Sequence, residues 1–322
     1  MGRAGDWAVV IPADLPQGDR GATREGAGSE EGGGGGRGPG GEREDRAVNT
    51  EGLRFDVNCS ILFTELPLLK RPGAARAAGF GAVEFWWPFA DPVPGDREVD
   101  AFTGALADAG GQLALLNFVG GDMAAGERGL LSLPEGSAAF RANIDVCAGI
   151  AARTGCTVLN ALYGNRADGC SEREQDELAV ENLALAARAA AAAGATVVVE
   201  ALNSHDSPRA ALVSSRRALE VINLVRAQAG VTNVAFLADL YHLGKMGEDL
   251  PGVLAREATA IAHIQVADVP DRGAPGTGEL DFQALFGQLA AQRYAGWIGC
   301  EYKPSDPADS STSFGWREPD EV

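Results

Sequence analysis

Beyond about residue 54, short runs of β-branched and other apolar residues alternate with longer stretches in which alanine, leucine and valine recur every three to four positions. A run that is apolar on both faces fits a strand buried between layers, and the longer period fits a helix with one covered face. Eight such runs occur, at 55–62, 82–87, 112–118, 157–162, 196–202, 234–240, 261–267 and 297–302, with helical stretches such as 137–154, 171–193 and 214–229 between them. Gly79 and Gly194 follow alanine-rich segments, where a left-handed cap would end a helix. Repeated βα units build a parallel sheet, and eight of them predict closure into a (β/α)8 TIM barrel of the α/β class. No GxGxxG turn follows the first run, which argues against an open dinucleotide-binding sheet.

The first 50 residues break this pattern. They hold 14 of the 43 glycines, include the run from Gly32 to Gly36, and show no sustained apolar period. Such a segment cannot bury enough apolar surface to offset its ordering entropy. It also lacks the basic start and apolar stretch of a secretory signal. We expect residues 1–50 to be a disordered Gly-rich tail and 51–322 to be one barrel domain, since a barrel alone takes about 250 residues.

Net charge narrows the partners. At -18 the chain is unsuited to nucleic acid, which is held by clustered Lys and Arg. Charged and Gly positions interrupt every apolar run before it reaches membrane-spanning length, so no membrane partner is expected. Homo-oligomerisation is left open. Cys59, Cys147, Cys156, Cys170 and Cys300 form no CxxC pair and no zinc-like spacing, which predicts reduced, mostly buried thiols in a cytoplasmic protein, with Cys170 the most exposed.

In a barrel the chemistry gathers where strands end, so polar residues closing apolar runs are the ones to collect. Four late runs carry one each: Glu200, Asp239, Gln265 and Glu301. Their spacings, 39 (239 − 200), 26 (265 − 239) and 36 (301 − 265), are each about one βα unit and place them on consecutive strands. Three carboxylates and an amide aimed into one mouth would repel one another and pay heavily for burial unless a cation joined them. An all-oxygen shell suits Mg, Mn or Co better than a thiolate-rich zinc site. Taken singly, each could be an ordinary satisfied polar residue.

The stretch from His263 to Glu279 (HIQVADVPDRGAPGTGE) followed by Gly296 to Pro304 (GWIGCEYKP) resembles the signature of hydroxypyruvate isomerases among the xylose-isomerase-like barrels. Weaker resemblance runs from Phe55 to Trp316, through Asn58, Glu84, Asn117 and Asn160. The resemblance implies that Glu200 and Glu301 are the paired proton donor and acceptor, and that these two with Asp239 and Gln265 hold a divalent metal. It also implies a substrate-side role for His242 and substrate binding by Arg272. Arg272, Lys303 and Asn117 are the candidates to contact the carboxylate of a small 2-oxo acid.

His263 is expected to be a packed, hydrogen-bonded core residue, and one aromatic of Trp86, Trp87 and Phe118 to wall the pocket. Asn203 and Asp206 could meet substrate hydroxyls or form a plain turn. The expected reaction interconverts hydroxypyruvate and tartronate semialdehyde by proton transfer through an enediolate. A 2-oxo-tetronate isomerase and a ketose 3-epimerase are alternatives on the same barrel. A polyol dehydratase or a non-catalytic sugar-acid-binding module fits the residues less well. A DNA-repair endonuclease would need many histidine ligands and a basic face, and this chain has three histidines.

A truncated protein beginning at Glu51 is expected to keep a cooperative folding transition and full activity. Loss of that transition in circular dichroism would overturn the assignment of residues 1–50 as a dispensable tail.

Overall fold

The computed structural model describes residues 48–317, so the tail expected over 1–50 lies outside the described residues except for its last three positions. Val48 donates its N–H to the carbonyl of Trp316 at 3.0 Å, which attaches the chain to the barrel slightly earlier than expected.

Eight strands close a parallel barrel in chain order: β1 (Arg54–Asn58), β2 (Ala82–Phe85), β3 (Gln112–Asn117), β4 (Val158–Asn160), β5 (Thr196–Glu200), β6 (Val234–Asp239), β7 (Ile261–Val266) and β8 (Trp297–Cys300), with β8 pairing back onto β1. The helices outside are α1 (Arg71–Ala77), α2 (Asp96–Ala109), α3 (Ser137–Thr154), α4 (Glu172–Ala192), α5 (Ser215–Ala229), α6 (Leu240–Lys245), α7 (Leu250–Arg256) and α8 (Phe282–Ala291). Helix α4 starts where the sequence requires it, because Ser171 and Glu174 form a reciprocal capping box. Gly79 and Gly194 adopt left-handed φ values of 83° and 71° as expected of helix stops.

Each strand ends one to four residues earlier than its apolar run. The surplus residues, such as Cys59 and Leu62 after β1, are buried in loops that wall the barrel mouth, so hydrophobicity outlasts the ladder there. The regular alternation of strands and helices also fails at two points. Two short helices follow β6, and among the described residues no α-helix follows β8. A 3-10 turn at Ser310–Phe314 takes that place, and Trp316 packs edge-on against Phe55 with ring centres 5.4 Å apart.

The interior of the barrel is divided. Leu115, Val158, Val198, Ala235 and Leu237 from β3 to β6 form one apolar cluster. From β7, β8, β1 and β2 come His263, Gly299, Asp56 and Glu84, and all three of the polar side chains are buried. Gly299 is required by proximity: a Cβ there would lie 2.6 Å from the Glu84 carboxylate.

Gly299→Ala is therefore expected to force Glu84 aside and to cost about 1–3 kcal/mol, in the range of overpacked cores. Thermal melts check this, and an unchanged Tm would show that Glu84 can move freely.

Candidate active site

Glu200 closes β5, Asp239 closes β6, and Gln265 is the last but one residue of β7. Glu301 follows β8 directly, and its N–H still donates to Val266 at 3.1 Å. All four are buried at the mouth, with Asp239 and Gln265 paired in register.

Asp239 uses its two oxygens differently. Oδ1 accepts the N–H groups of Tyr241 at 2.8 Å and His242 at 3.3 Å, capping α6, while Oδ2 is buried with no hydrogen-bond partner. Gln265 is divided in the same way. Its Nε2 donates to Glu84 Oε1 at 2.7 Å and to Glu301 Oε2 at 2.5 Å, and its Oε1 is buried without a partner. A buried acceptor left unsatisfied costs about 1–3 kcal/mol. Two such oxygens on adjacent strands, beside the carboxylate of Glu200, form an oxygen donor set that a hard divalent cation would satisfy, so the residues fit the expected metal. Ligand atoms of Glu200, Asp239 and His242 lie within 4.8 Å of one another.

His242 is the third member of that cluster, but its hydrogen bonds assign it another task. Asn203 accepts the N–H of Asp206 at its Oδ1 (2.8 Å) and donates from Nδ2 to Asp206 Oδ2 (3.0 Å), which fixes the amide orientation. The same Nδ2 faces His242 Nδ1 at 2.7 Å, so Nδ1 accepts and Nε2 carries the proton. Nε2 then points its N–H toward Asp239 Oδ2 at 3.5 Å and Glu200 Oε1 at 3.7 Å. Burial holds the imidazole neutral by lowering its pKa to about 4. It is a donor facing the cavity.

Glu301 has partners on both oxygens. Oε2 accepts from Asn58 Nδ2 at 2.9 Å and from Gln265, and Oε1 pairs with Arg272. Below it, Glu84 accepts from both of those amides on Oε1 and meets His263 Nε2 at 2.8 Å through Oε2. His263 is thus the hydrogen-bonded core residue expected. Burial, then the charge of Asp239, pushes Glu200 up to about 8. Burial also raises Glu301, with Arg272 opposing it. Asp56, beneath Glu84, is raised by burial and by the Glu84 charge.

Arg272 reaches the site from the loop after β7. Asp268 organises that loop by accepting three backbone N–H groups, from Gly276, Gly278 and Leu280. Arg272 sits at φ 63°, a costly conformation for a non-glycine residue, and lies over the Tyr241 ring at 5.2 Å.

A cavity of about 150 Å³ is lined by Glu200, His242, Arg272, Glu301, Asn117 and Trp86 among others. That is room for about five waters, the scale of a small acid. Trp86 and Asn117 also line an adjoining groove of about 730 Å³. Trp86 is therefore the aromatic wall, while Phe118 is buried against Phe140 of α3. Asn117 is buried with its Oδ1 unpartnered. Lys303 is the exception among the expected substrate contacts. Its side chain is exposed and outside the cavity lining, and only its backbone N–H contributes, holding the Arg272 carbonyl at 2.8 Å. A lysine two positions beyond Glu301 follows a chain that has already turned outward.

The sequence placed Glu84 within the resemblance but gave it no role, and it passed over Asp56 and Arg128, of which Arg128 also lines the cavity. Glu84 carried the same signal as Glu200, Asp239 and Glu301, a carboxylate inside an apolar run. Arg128 lies in a loop with no periodic context.

A closed eight-stranded barrel with a carboxylate-rich mouth defines the class, and residues 72–318 match the xylose isomerase-like TIM barrel family. The chain belongs to this family, and within it to the hydroxypyruvate isomerase group. It is 56% identical over 265 residues to a putative hydroxypyruvate isomerase of Streptomyces coelicolor, covering 82% of this chain and 95% of that one. The hydroxypyruvate isomerase of Escherichia coli is 34% identical, covering 83% and 99%. The 2-oxo-tetronate isomerase of Cupriavidus necator is 36% identical, covering 83% and 98%. Among solved structures, one described as an AP endonuclease, family 2, from Brucella melitensis superposes with a TM-score of 0.74 at 35% identity, covering 82% and 97%.

Because Glu200 is protonated more readily in the folded barrel than in the unfolded chain, the metal-free protein is stabilised below the ordinary carboxylate pKa and loses that stabilisation as pH rises toward about 8. Its Tm is expected to fall between about pH 5 and about pH 8, and added divalent metal, which displaces the proton, should lessen the fall. A metal-free Tm that rises over this window would contradict the assignment.

Proposed function

We propose that the protein interconverts hydroxypyruvate and tartronate semialdehyde (2-hydroxy-3-oxopropanoate), an intramolecular aldose–ketose-type isomerisation. The observation that carries this reading is the placement of two buried carboxylates, Glu200 and Glu301, on one small cavity together with cationic and neutral hydrogen-bond donors. One glutamate removes a proton from C3, giving an enediolate, and the other returns a proton to C2, while the C3 hydroxyl proton passes to the C2 oxygen. Glu200, Asp239, Gln265 and Glu301 would hold Mg, Mn or Co, which supplies electrophilic polarisation of the substrate oxygens when bound. Asn160 and Asn58 orient the two glutamates through bonds of 2.8 and 2.9 Å. His242 offers Nε2–H to a substrate oxygen.

A four-carbon 2-oxo-tetronate is the second reading, favoured by the groove that continues past Trp86 and by the relative from Cupriavidus necator. DNA cleavage is not favoured despite the description of the Brucella structure, given three histidines and a charge of -18. Four of the five cysteines are buried and all are free, and no helix among the described residues is long and apolar enough to cross a membrane. We assign the activity to the cytoplasm as a monomer or homo-oligomer acting on a small molecule.

Proton NMR of hydroxypyruvate with purified protein and each metal is the direct test. Conversion should vanish with EDTA and return with Mg, Mn or Co. Glu200→Gln and Glu301→Gln should each lower turnover at least about 10²-fold while leaving the fold intact. Solvent-deuterium exchange at C3 then separates the two roles. Unchanged hydroxypyruvate in metal-loaded protein sinks the substrate assignment, and two variants within about tenfold of the parent sink the glutamate pair.

A further inference from the structure

The cavity holds two guanidinium groups whose charges are answered to different degrees. Arg272 is committed to Glu301. Arg128, from the loop between β3 and α3, donates from Nε to Ser207 Oγ at 3.0 Å and from Nη1 to the carbonyls of Met123 and Glu127 at 3.0 and 2.7 Å. These bonds use three of its five N–H groups. Among the described residues the two on Nη2 have no acceptor, and Arg128 makes no ion pair.

The loop that carries Arg128 is built to stay in place. Gly129 donates to Gly120 at 2.9 Å and Ser132 to Tyr163 at 2.9 Å, pinning the segment to the ends of β3 and β4. Gly129 adopts φ 109°, and a Cβ there would lie 2.0 Å from the Leu162 carbonyl, so the backbone passes as close to the mouth as it can. A guanidinium fixed by three bonds on a pinned loop needs little further ordering to bind a ligand. An anionic substrate entering a strongly acidic protein also needs a local positive site, and Arg128 is the lining cation with charge to spare.

We propose that Arg128 anchors the carboxylate of the substrate through its two Nη2 hydrogens, and that Arg272 serves Glu301 instead. This rests on the reading of the cavity as a site for a small 2-oxo acid. Arg128 thereby sets the preference for acids over neutral carbonyl compounds of the same shape.

The test compares pyruvate with pyruvamide, its neutral amide, by titration calorimetry on metal-loaded protein. Arg128→Met should weaken pyruvate binding about 10- to 100-fold, the scale of a charge-assisted contact, and change pyruvamide binding by less than about threefold. In hydroxypyruvate turnover the loss should fall on KM more than on kcat. Equal loss for both ligands, or none for pyruvate, overturns the proposal. If Arg128→Met does not fold by circular dichroism, Arg128→Lys decides: it keeps the charge without the fork and should lose about 3- to 10-fold for pyruvate alone, and unchanged affinity overturns the anchor. The two readings fail separately. Pyruvate discrimination without hydroxypyruvate turnover rejects the reaction and keeps the anchor, whereas turnover by Arg128→Met at unchanged KM rejects the anchor and keeps the reaction.

Discussion

A carboxylate taken out of water loses hydration worth several kcal/mol even after the protein relaxes around it, and besides Asp268 in the loop after β7 five are buried on or at the end of the strands: Asp56, Glu84, Glu200, Asp239 and Glu301. The polar architecture follows from how each is compensated. Amides from Asn58, Asn160 and Gln265 reach three of them, His263 meets Glu84, and Arg272 meets Glu301. The cost that remains shows as a raised proton affinity at Glu200, Glu301 and Asp56, all pushed upward by burial.

The interior is divided by depth as well as by side. Leu115, Val158, Val198, Ala235 and Leu237 form an apolar surface on β3 to β6, where Glu200 and Asp239 appear only as the last strand residues, whereas Asp56, Glu84 and His263 lie within β1, β2 and β7. Gly299 leaves the space that Glu84 needs to reach both amides. The floor therefore supports the mouth: Glu84 orients Gln265 and Asn58, and these in turn hold Glu301.

Strand positions were legible because a doubly covered parallel strand is apolar throughout, and the four mouth residues stood out as polar breaks in such runs. Strand ends were not, since the apolar character of Leu62 and its neighbours reflects loop packing that periodicity cannot separate from a ladder. Arg128 and the exposed direction of Lys303 depend on loop paths set by tertiary contacts such as Gly129 against Leu162. His242 was found, but its tautomer required the Asn203–Asp206 geometry, which no spacing encodes. Among the described residues no α-helix follows β8, and Trp316 packs on Phe55 in its place.

Asp239 serves two structures with one side chain, Oδ1 starting α6 and Oδ2 left buried beside His242 Nε2 at 3.5 Å. A longer acid at this position would displace its carboxylate from one task or the other, and an amide could keep only one acceptor oxygen. The site is thus locked to its scaffold at position 239. Drift toward other donor sets must pass through positions such as Gln265, whose partners are side chains and can adjust with it.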